Sequence, residues 1–254
     1  MKRSETTASA AAGTVPPGQR IYAIGDIHGR LDLLELLIDQ IEADDMARGQ
    51  AETHIIFLGD LVDRGPASAD VVELALQISR KTDRARFLLG NHEEVFLKAV
   101  HGDLKALAFF TRIGGRETIL SYGVSEEAYL GAEYPELLAM FQERVPTAHI
   151  AFLESFEDLI VFGDYAFVHA GLHPDAPLAR QKPKDLRWIR NEFLNHRGPF
   201  EKIVVHGHTI SEEVEIRSHR IGLDTGAFAS GKLTAMGFEG GDYWALQATI
   251  QALA

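Results

Sequence analysis

The sequence of 254 residues predicts an α/β fold, and two observations support that prediction. Short apolar runs alternate with helix-like stretches over residues 20–93, which is typical of parallel strands joined by helices. Each of the apolar runs in this region ends in a glycine followed by residues that can bind a metal or transfer a proton. Because ligands bind at the carboxyl ends of strands in open α/β sheets, we expect these residues to meet at one site.

The first half of the chain is expected to form three strands with two helices between them. The strands are RIYAIGD (20–26), HIIFLGD (54–60) and ARFLLGNHE (85–93), each a short apolar run bounded by turn residues. A helix is expected at 30–47, where Leu and Ile recur at helical spacing, and another at 68–81, with Ser68 as its N-cap. This βαβαβ pattern predicts a largely parallel sheet.

The rest of the chain is expected to change from helices to strands. Residues 102–156 predict an inserted helical subdomain, since they lack strand-like runs. A hairpin is expected at 158–172, turning at Gly163-Asp164, followed by a helix at 183–195, a strand at 202–209 and more strands over 220–247. We expect one domain over residues 20–254, preceded by a disordered leader over residues 1–19, which are small, polar and contain proline.

Composition limits the kinds of partner. The net charge of −12 argues against non-specific binding to nucleic acid or to an anionic membrane. The absence of cysteine excludes disulfides, thiolate-bound zinc and a cysteine nucleophile. No apolar run approaches the roughly 20 residues that cross a bilayer. We therefore expect a cytoplasmic protein with no nucleic-acid or membrane partner, and no feature of the sequence indicates its oligomeric state.

The chemistry-bearing residues form a set that suits metal ions. Carboxylates, imidazoles and a carboxamide stand where strands are expected to end, namely Asp26, His28, Asp60, Asp63, Arg64, Asn91, His92, His169, His206 and His208. Such ligands suit Mn²⁺, Fe²⁺ or Zn²⁺. The set is too large for one ion, whereas two ions about 3.5–4 Å apart that share a carboxylate could use it in a displacement at phosphorus.

Five motifs carry a resemblance to a known family. GDIHG, GDLVDRG, GNHE, HAGL and HGHT, in this order, resemble the motifs of the calcineurin-like metallophosphoesterases. Within that superfamily the motifs look like those of the phosphoprotein-phosphatase branch, especially its compact bacterial and phage members and the related dinucleoside-tetraphosphate hydrolases. The match extends over roughly residues 20–245, and residues 102–156 carry none of it. The resemblance implies a four-layer α/β/β/α metallophosphoesterase sandwich with a helical insertion.

The resemblance also implies six ligands for two divalent metal ions, with Mn²⁺ expected and Fe or Zn²⁺ as alternatives. They are Asp26 and His28 for the first ion, Asp60 as the bridging carboxylate, and Asn91, His169 and His208 for the second ion.

The remaining roles implied by the resemblance concern the substrate. His92 would protonate the leaving group as general acid, and Asp63 would orient its imidazole. Arg64 and Arg190 would bind the substrate phosphate, together with Asn91. A planar guanidinium can bind two phosphate oxygens at once, which lysine cannot.

A structural interpretation competes with these roles. The strand-end residues could be ordinary turn residues and satisfied histidines, and Arg190 could be a helix-surface arginine beside Trp188. His206 is expected to face the site without binding a metal. His173 is expected to be a plain histidine, with substrate contact as the less favoured alternative.

Three departures from the family pattern bear on the branch. Ile210 stands two residues after His208, where other branches have a further metal-binding histidine, and this favours the phosphoprotein-phosphatase branch. Ala170-Gly171 replaces the Gly-Gly of eukaryotic members, and Leu89 replaces an arginine. These two differences are typical of a bacterial-type enzyme.

We therefore predict a bimetal-dependent phosphomonoester hydrolase, specifically a protein serine/threonine phosphatase acting on a phosphorylated protein or peptide. A hydroxide that bridges the metals would attack phosphorus directly, and His92 would protonate the leaving alkoxide. One alternative keeps the site and changes the substrate to a dinucleoside polyphosphate. Another class of alternative is a non-catalytic scaffold, which would be expected to have lost ligands that this chain retains.

Overall fold

The computed structural model describes residues 13–250. Its strands and helices, in chain order, are β1 (Gln19–Ile24), α1 (Leu31–Arg48), β2 (Glu52–Phe57), α2 (Ser68–Lys81), β3 (Ala85–Phe87), α3 (Asn91–Val100), α4 (Leu104–Phe110), α5 (Arg116–Ser121), α6 (Glu126–Gly131), α7 (Tyr134–Arg144), α8 (Thr147–Glu154), β4 (Ile160–Phe162), β5 (Tyr165–Val168), α9 (Pro183–Trp188), α10 (Asn191–Leu194), β6 (Ile203–His206), β7 (Glu215–Ile216), β8 (Arg220–Gly222), α11 (Ala227–Ser230), β9 (Lys232–Glu239) and β10 (Asp242–Thr249).

The strands form two mixed sheets. The first has the order β10-β9-β1-β2-β3, and the second has the order β4-β5-β6-β8-β7. In the first sheet β1, β2 and β3 are parallel, as predicted, while β9 and β10 add an antiparallel edge. In the second sheet β5, β6 and β8 are parallel and both edge strands are antiparallel. Both sheets therefore direct the carboxyl ends of their parallel strands to an edge that can hold a site.

The sheets pack face to face with helices outside both, which confirms the four-layer α/β/β/α architecture. Burial on both faces explains why the sequence of strand β1 is apolar without alternation. Ile21 and Ala23 enter the core between the sheets, while Tyr22 and Ile24 pack towards α1 and α2. Helices α9 and α10 cover the second sheet, where Phe193 packs with residues of β5 and β6. A strand that is buried on both faces needs apolar residues on both.

Residues 104–154 contain helices α4 to α8 and share a core with α1, α2 and α3. Phe110, Phe141 and Phe152 of this segment pack in one cluster with Phe96 of α3. A π-helical turn at Thr111–Gly115 joins α4 to α5. The segment therefore packs directly on the helical layer beside the first sheet.

Several predicted boundaries are wrong, each for a local reason. The strand predicted over 85–93 ends at Phe87, and Asn91 begins a helix. Glu93 accepts a hydrogen bond from the backbone N–H of Gly90 and so caps that helix. The helix predicted over 183–195 divides into α9 and α10 at Arg190, whose φ of −132° and ψ of −88° are not helical.

The leader prediction is wrong for residues 13–19. The Val15 side chain is buried in the core between the sheets, and its N–H donates to Gly240 O. Thr14 donates from both its backbone N–H and its hydroxyl to Asp164, which fixes this segment against the β4–β5 turn. Residues 1–12 of the predicted leader lie outside the described residues.

A polar network stabilises the first sheet on its helix-covered face. Asp44 of α1 accepts hydrogen bonds from the Tyr22 hydroxyl, the Arg48 guanidinium and the Trp244 indole, at 2.6, 2.8 and 2.8 Å. The Arg48 guanidinium also lies 3.3 Å from the centre of a Trp244 ring. This network joins α1 to β1 and β10.

Among the described helices, none has the length and apolar character needed to span a membrane.

Candidate metal centre and active site

The loops that carry the predicted site have an unusual backbone. Five non-glycine residues among those described have positive φ, between 47° and 74°, and all are predicted site residues: His28, Asp60, Asp63, Arg64 and His208. Left-handed conformations are costly for residues with a Cβ, and they concentrate at functional sites, where the surroundings hold them. The chain therefore turns sharply directly after its parallel strands and directs these side chains into one place.

Asp60 lies between two groups of potential metal ligands. Its Oδ2 is 3.6 Å from His28 Nε2, and its Oδ1 is 3.4 Å from His169 Nε2. Ligand atoms of His28, Asp60 and His92 lie within 4.8 Å of one another, and so do those of Asp60, His169 and His208. A carboxylate shared by two such groups is the arrangement that a pair of bridged ions requires.

Backbone carbonyls orient two of the imidazoles. His28 Nδ1 lies 2.7 Å from Val62 O, and His169 Nδ1 lies 2.8 Å from Leu58 O. Because a carbonyl only accepts, each Nδ1 carries the proton and each Nε2 presents a lone pair to the site. Burial lowers the pKa of His28 well below its usual value and that of His169 to about 3. Both rings are therefore in the neutral form that binds metals.

The second group has the composition of a cation site. Asn91 Oδ1 and His208 Nδ1 lie 3.0 and 3.2 Å from His169 Nε2. His208 Nε2 is buried and has no hydrogen-bond partner among the described residues, which is unusual for a buried polar atom. The carboxylate of Asp60 completes a set of nitrogen and oxygen donors that fits a divalent metal.

Asp26 lies beside the first group and is tied to the loop that bears His208. Each of its carboxylate oxygens is 3.0 Å from the backbone N of His208, which donates to them, and Asp26 is not part of the close group around His28. Beside it lies Asp224, buried, with Oδ1 accepting from Gly226 N–H and Oδ2 unpartnered within residues 13–250. Burial and the charge of Asp224 raise the pKa of Asp26. Two adjacent buried carboxylates also suit a cation.

Arg64 lies across the first group. Its guanidinium donates to His28 Nε2 at 2.8 Å and to His92 Nε2 at 3.0 Å. It also lies 4.8 Å from the centre of the Phe228 ring. An ion bound to His28 Nε2 would need that lone pair, so Arg64 would have to turn outward, where it could bind a phosphate oxygen.

The predicted general acid has the predicted partner beside it. His92 Nδ1 lies 2.6 Å from Asp63 Oδ2, and both side chains are buried. Burial, followed by the nearby charge of Arg64, lowers the pKa of His92 to about 3. The imidazole therefore donates Nδ1–H to Asp63 and directs Nε2 towards the site.

The helical segment contributes to the site, which the sequence did not reveal. The hydroxyl of Thr118 in α5 donates to Asp63 Oδ1 at 2.7 Å and accepts the Asp63 N–H at 2.8 Å. Gly114 O, in the π-helical turn, accepts the Arg64 N–H at 3.0 Å. Both contacts fix the loop that bears Asp63 and Arg64.

Glu93 is a second residue that the sequence reasoning missed. Its buried carboxylate accepts the backbone N–H groups of Gly90, Asp60 and Leu61, at 3.1, 2.8 and 2.8 Å. It thereby joins the loop after β2 to the start of α3. Asp224 could have been found, because it follows β8 as the other acids follow their strands. Glu93 ends the GNHE motif but has no predicted role, and no local pattern distinguishes Thr118.

Arg190 lies at the rim of the site. Its side chain is exposed, and its charge contributes, after burial, to lowering the pKa of His92, His169 and His208. His206 is not in either ligand group. It is buried with its ring edge-on to Phe193, at a centroid distance of 5.0 Å.

Comparisons with known proteins agree with this arrangement. The chain matches the calcineurin-like phosphoesterases over residues 19–230. An asymmetrical bis(5'-nucleosyl)-tetraphosphatase PrpE from Anoxybacillus flavithermus is 25% identical over 234 residues, which are 84% of this chain and 88% of the relative. A relative of the same name from Bacillus thuringiensis is 24% identical over the same shares of both chains.

Solved structures show the same fold. One assigned as a diadenosine tetraphosphatase has a TM-score of 0.63 and 25% identity, and the match covers 95% of this chain and all of that one. A serine/threonine phosphatase from Saccharomyces cerevisiae, similar to human phosphatase PP5, has a TM-score of 0.53 at 16% identity, over 94% of this chain and 82% of that one. The second likeness shows the fold alone. The resemblance predicted from five motifs is thus confirmed, and the chain belongs to the calcineurin-like phosphoesterase family.

Proposed function

We propose that the protein is a metal-dependent hydrolase of dinucleoside polyphosphates such as diadenosine tetraphosphate. The observation that carries the proposal is the similarity to asymmetrical bis(5'-nucleosyl)-tetraphosphatases, which extends over 84% of this chain and 88% of the relative. It favours the nucleotide alternative over the protein serine/threonine phosphatase that the motifs alone suggested. The two functions share one site chemistry and differ in what lies beyond the cleaved bond.

The proposed reaction adds water across a P–O–P bond. The new bond joins the water oxygen to phosphorus, the P–O bond to the bridging oxygen breaks, and asymmetric cleavage of the tetraphosphate yields a nucleoside monophosphate and a nucleoside triphosphate. Two divalent ions, Mn²⁺ in this proposal, would be held by Asp26, His28, Asp60, His169 and His208 with Asn91, and would supply Lewis acidity and lower the pKa of water.

The residues of the chain itself would bind the phosphate and move the proton. Arg64 and Arg190 would hold the non-bridging oxygens as the charge on them changes. Asp63 would keep the imidazole of His92 in the orientation seen here, with Nε2 facing the site, and its carboxylate would stabilise the imidazolium that donates a proton from Nε2. We also propose that the protein acts on its substrate without a membrane or nucleic-acid partner.

The general acid gives a way to distinguish the two substrates. The leaving group from the anhydride is a phosphate, with a pKa of about 6 for its second ionisation, so it needs little help from an acid. An alkoxide leaving from phosphoserine is nearly as basic as hydroxide, whose conjugate acid has a pKa of about 15.7. Replacing His92 by Asn should therefore slow phosphopeptide hydrolysis far more than nucleotide hydrolysis.

The test compares two substrates with the Mn²⁺-loaded protein. We expect diadenosine tetraphosphate to give AMP and ATP with a kcat/KM at least about tenfold above that for phosphate release from a phosphoserine/phosphothreonine peptide, a difference of about 1.4 kcal/mol. Asp60→Asn serves as the blank. A higher kcat/KM for the peptide than for the nucleotide would overturn the proposal and would favour a protein phosphatase instead.

A further inference from the structure

A cavity adjoins the candidate active site on the side of the second sheet. Its volume is about 370 Å³, and its lining includes His173, Lys184, Trp188, Ile189 and Arg190. This volume lies within the usual range for sites that bind small molecules. Arg190 belongs both to this cavity and to the rim of the metal centre, so a ligand that fills the cavity can extend to the reacting phosphate.

The cavity has an aromatic side chain that is held in place. Trp188 is half-buried, and its indole N–H donates to Glu94 Oε2 at 2.9 Å. The Phe109 ring lies beside it, with 6.2 Å between ring centres and 36° between ring planes, and Phe109 is 42% exposed. An indole fixed by a hydrogen bond offers a stacking surface for a nucleobase at little entropic cost.

The cavity also has two cations in its lining, on a protein with a net charge of −12. Lys184 and Arg190 are exposed, and neither forms an ion pair with a carboxylate within the described range. Asp185 and Glu192 line the cavity as well. Because neither cation has an ion-pair partner in the described range, both can bind phosphate oxygens, and Trp188 lines the same cavity.

We propose that this cavity binds the uncleaved part of a dinucleoside polyphosphate, with the distal phosphates on Lys184 and Arg190 and the nucleobase stacked on Trp188. The inference rests on the proposed function, because it assigns a place to one nucleotide of that substrate. It makes Trp188 and Lys184 specificity-determining residues that act on binding and take no part in proton transfer.

The test compares two anhydrides with the Mn²⁺-loaded enzyme. Diadenosine tetraphosphate carries nucleosides, whereas inorganic tripolyphosphate has the same kind of bond and none. In Trp188→Leu the ratio of kcat/KM for the nucleotide to kcat/KM for tripolyphosphate should fall about tenfold, mainly through KM, as expected for one lost stacked base. Trp244→Phe is the matched control and should keep the wild-type ratio, because Trp244 lies in the Asp44 network.

A binding measurement keeps the inference testable if Trp188→Leu folds poorly. The chain has two tryptophans, so Trp188 is the only indole in Trp244→Phe. Its fluorescence should be quenched saturably by diadenosine tetraphosphate and not by tripolyphosphate. The exposed Lys184→Gln should raise the KM for the nucleotide severalfold, and more at low salt.

The outcomes separate the two proposals. Nucleotide cleavage with a reduced ratio and saturable quenching would support the cavity as the nucleotide subsite. Nucleotide cleavage with a wild-type ratio in Trp188→Leu and no quenching would overturn the subsite and leave the proposed function standing. Cleavage of tripolyphosphate without cleavage of the nucleotide would overturn the proposed function, and the subsite with it.

Discussion

Replacing Thr118 by Val should slow the hydrolysis of phosphate monoesters, although Thr118 belongs to the helical segment, which carries no family motif. The Thr118 hydroxyl donates to Asp63 Oδ1 at 2.7 Å, accepts the Asp63 N–H at 2.8 Å, and is fully buried. Valine keeps the approximate shape of the side chain and removes both contacts, together with the 3.0 Å contact between the Thr118 and Ser68 hydroxyls. Asp63 retains the hydrogen bond from its N–H to Ser68 Oγ at 3.0 Å, but Oδ1 loses its donor.

The magnitude follows from the kind of bond that is lost. A hydrogen bond to a charged group contributes about 1.5–3 kcal/mol, and leaving a buried carboxylate oxygen unsatisfied adds a desolvation cost. If Asp63 turns to recover a partner, His92 loses the orientation given by its 2.6 Å contact with Asp63. We expect kcat for phenyl phosphate to fall roughly 10- to 100-fold, which corresponds to about 1.4–2.7 kcal/mol in the barrier, whereas nucleotide hydrolysis, which depends less on the general acid, should be affected less.

The assay must separate positioning from general destabilisation. Thr118→Ser keeps the hydroxyl and loses only a methyl group, so it should recover most of kcat while remaining less stable than the wild type. The loss in Thr118→Val should lie in kcat more than in KM, and it should be larger with phenyl phosphate than with p-nitrophenyl phosphate, because the poorer leaving group depends more on the general acid. A wild-type kcat in the valine variant, or equal losses in both variants, would refute the reasoning.

Two further predictions concern the π-helical turn and the Asp44 network. Gly114→Ala should raise KM about tenfold, since Gly114 has a φ of 118° and an added Cβ would lie 2.6 Å from Arg64 Cγ. An unchanged KM would contradict the idea that this turn positions Arg64. Burial tends to raise the pKa of Asp44, but the hydrogen bonds from Arg48, Tyr22 and Trp244 lower it overall. The ionised Asp44 therefore stabilises the fold above its unfolded pKa of about 3.9, and this stabilisation disappears as the pH falls through the pKa of Asp44 in the folded protein. Thermal denaturation should therefore find Asp44→Asn less stable than the wild type at pH 7, with a difference that shrinks below about pH 4; a constant difference would exclude the ionised network as its cause.

Much of the fold was predictable because burial acts on local sequence. Strand β1 is buried on both faces, and the apolar run that results marks it without any knowledge of its neighbours. The motif residues follow such runs, so their convergence could be predicted from the rule that parallel strands present their carboxyl ends together. The antiparallel edge of the first sheet depends on pairing between β1 and β9, more than 200 residues apart, and no local pattern specifies that.

The site was less predictable where distant contacts decide the conformation. Asn91 and His92 looked like the end of a strand, but Glu93 accepts N–H groups from Asp60 and Leu61 and so fixes the start of a helix there. The role of Thr118 depends on a partner 55 residues away. Composition and spacing predict neither contact, because the first requires α3 to pack against the loop after β2 and the second requires the helical segment to pack against the same loop.

These contacts explain how the strained loop after β2 can persist. Asp60, Asp63 and Arg64 all have positive φ, and each such residue costs on the order of 1–3 kcal/mol. Glu93 holds the first part of the loop from α3, while Gly114 and Thr118 hold the second part from the helical segment. The segment is therefore a structural part of the active site. Any change that loosens its packing should reduce stability and activity together, since the hydrogen bonds that offset the backbone strain are the ones that orient the catalytic groups.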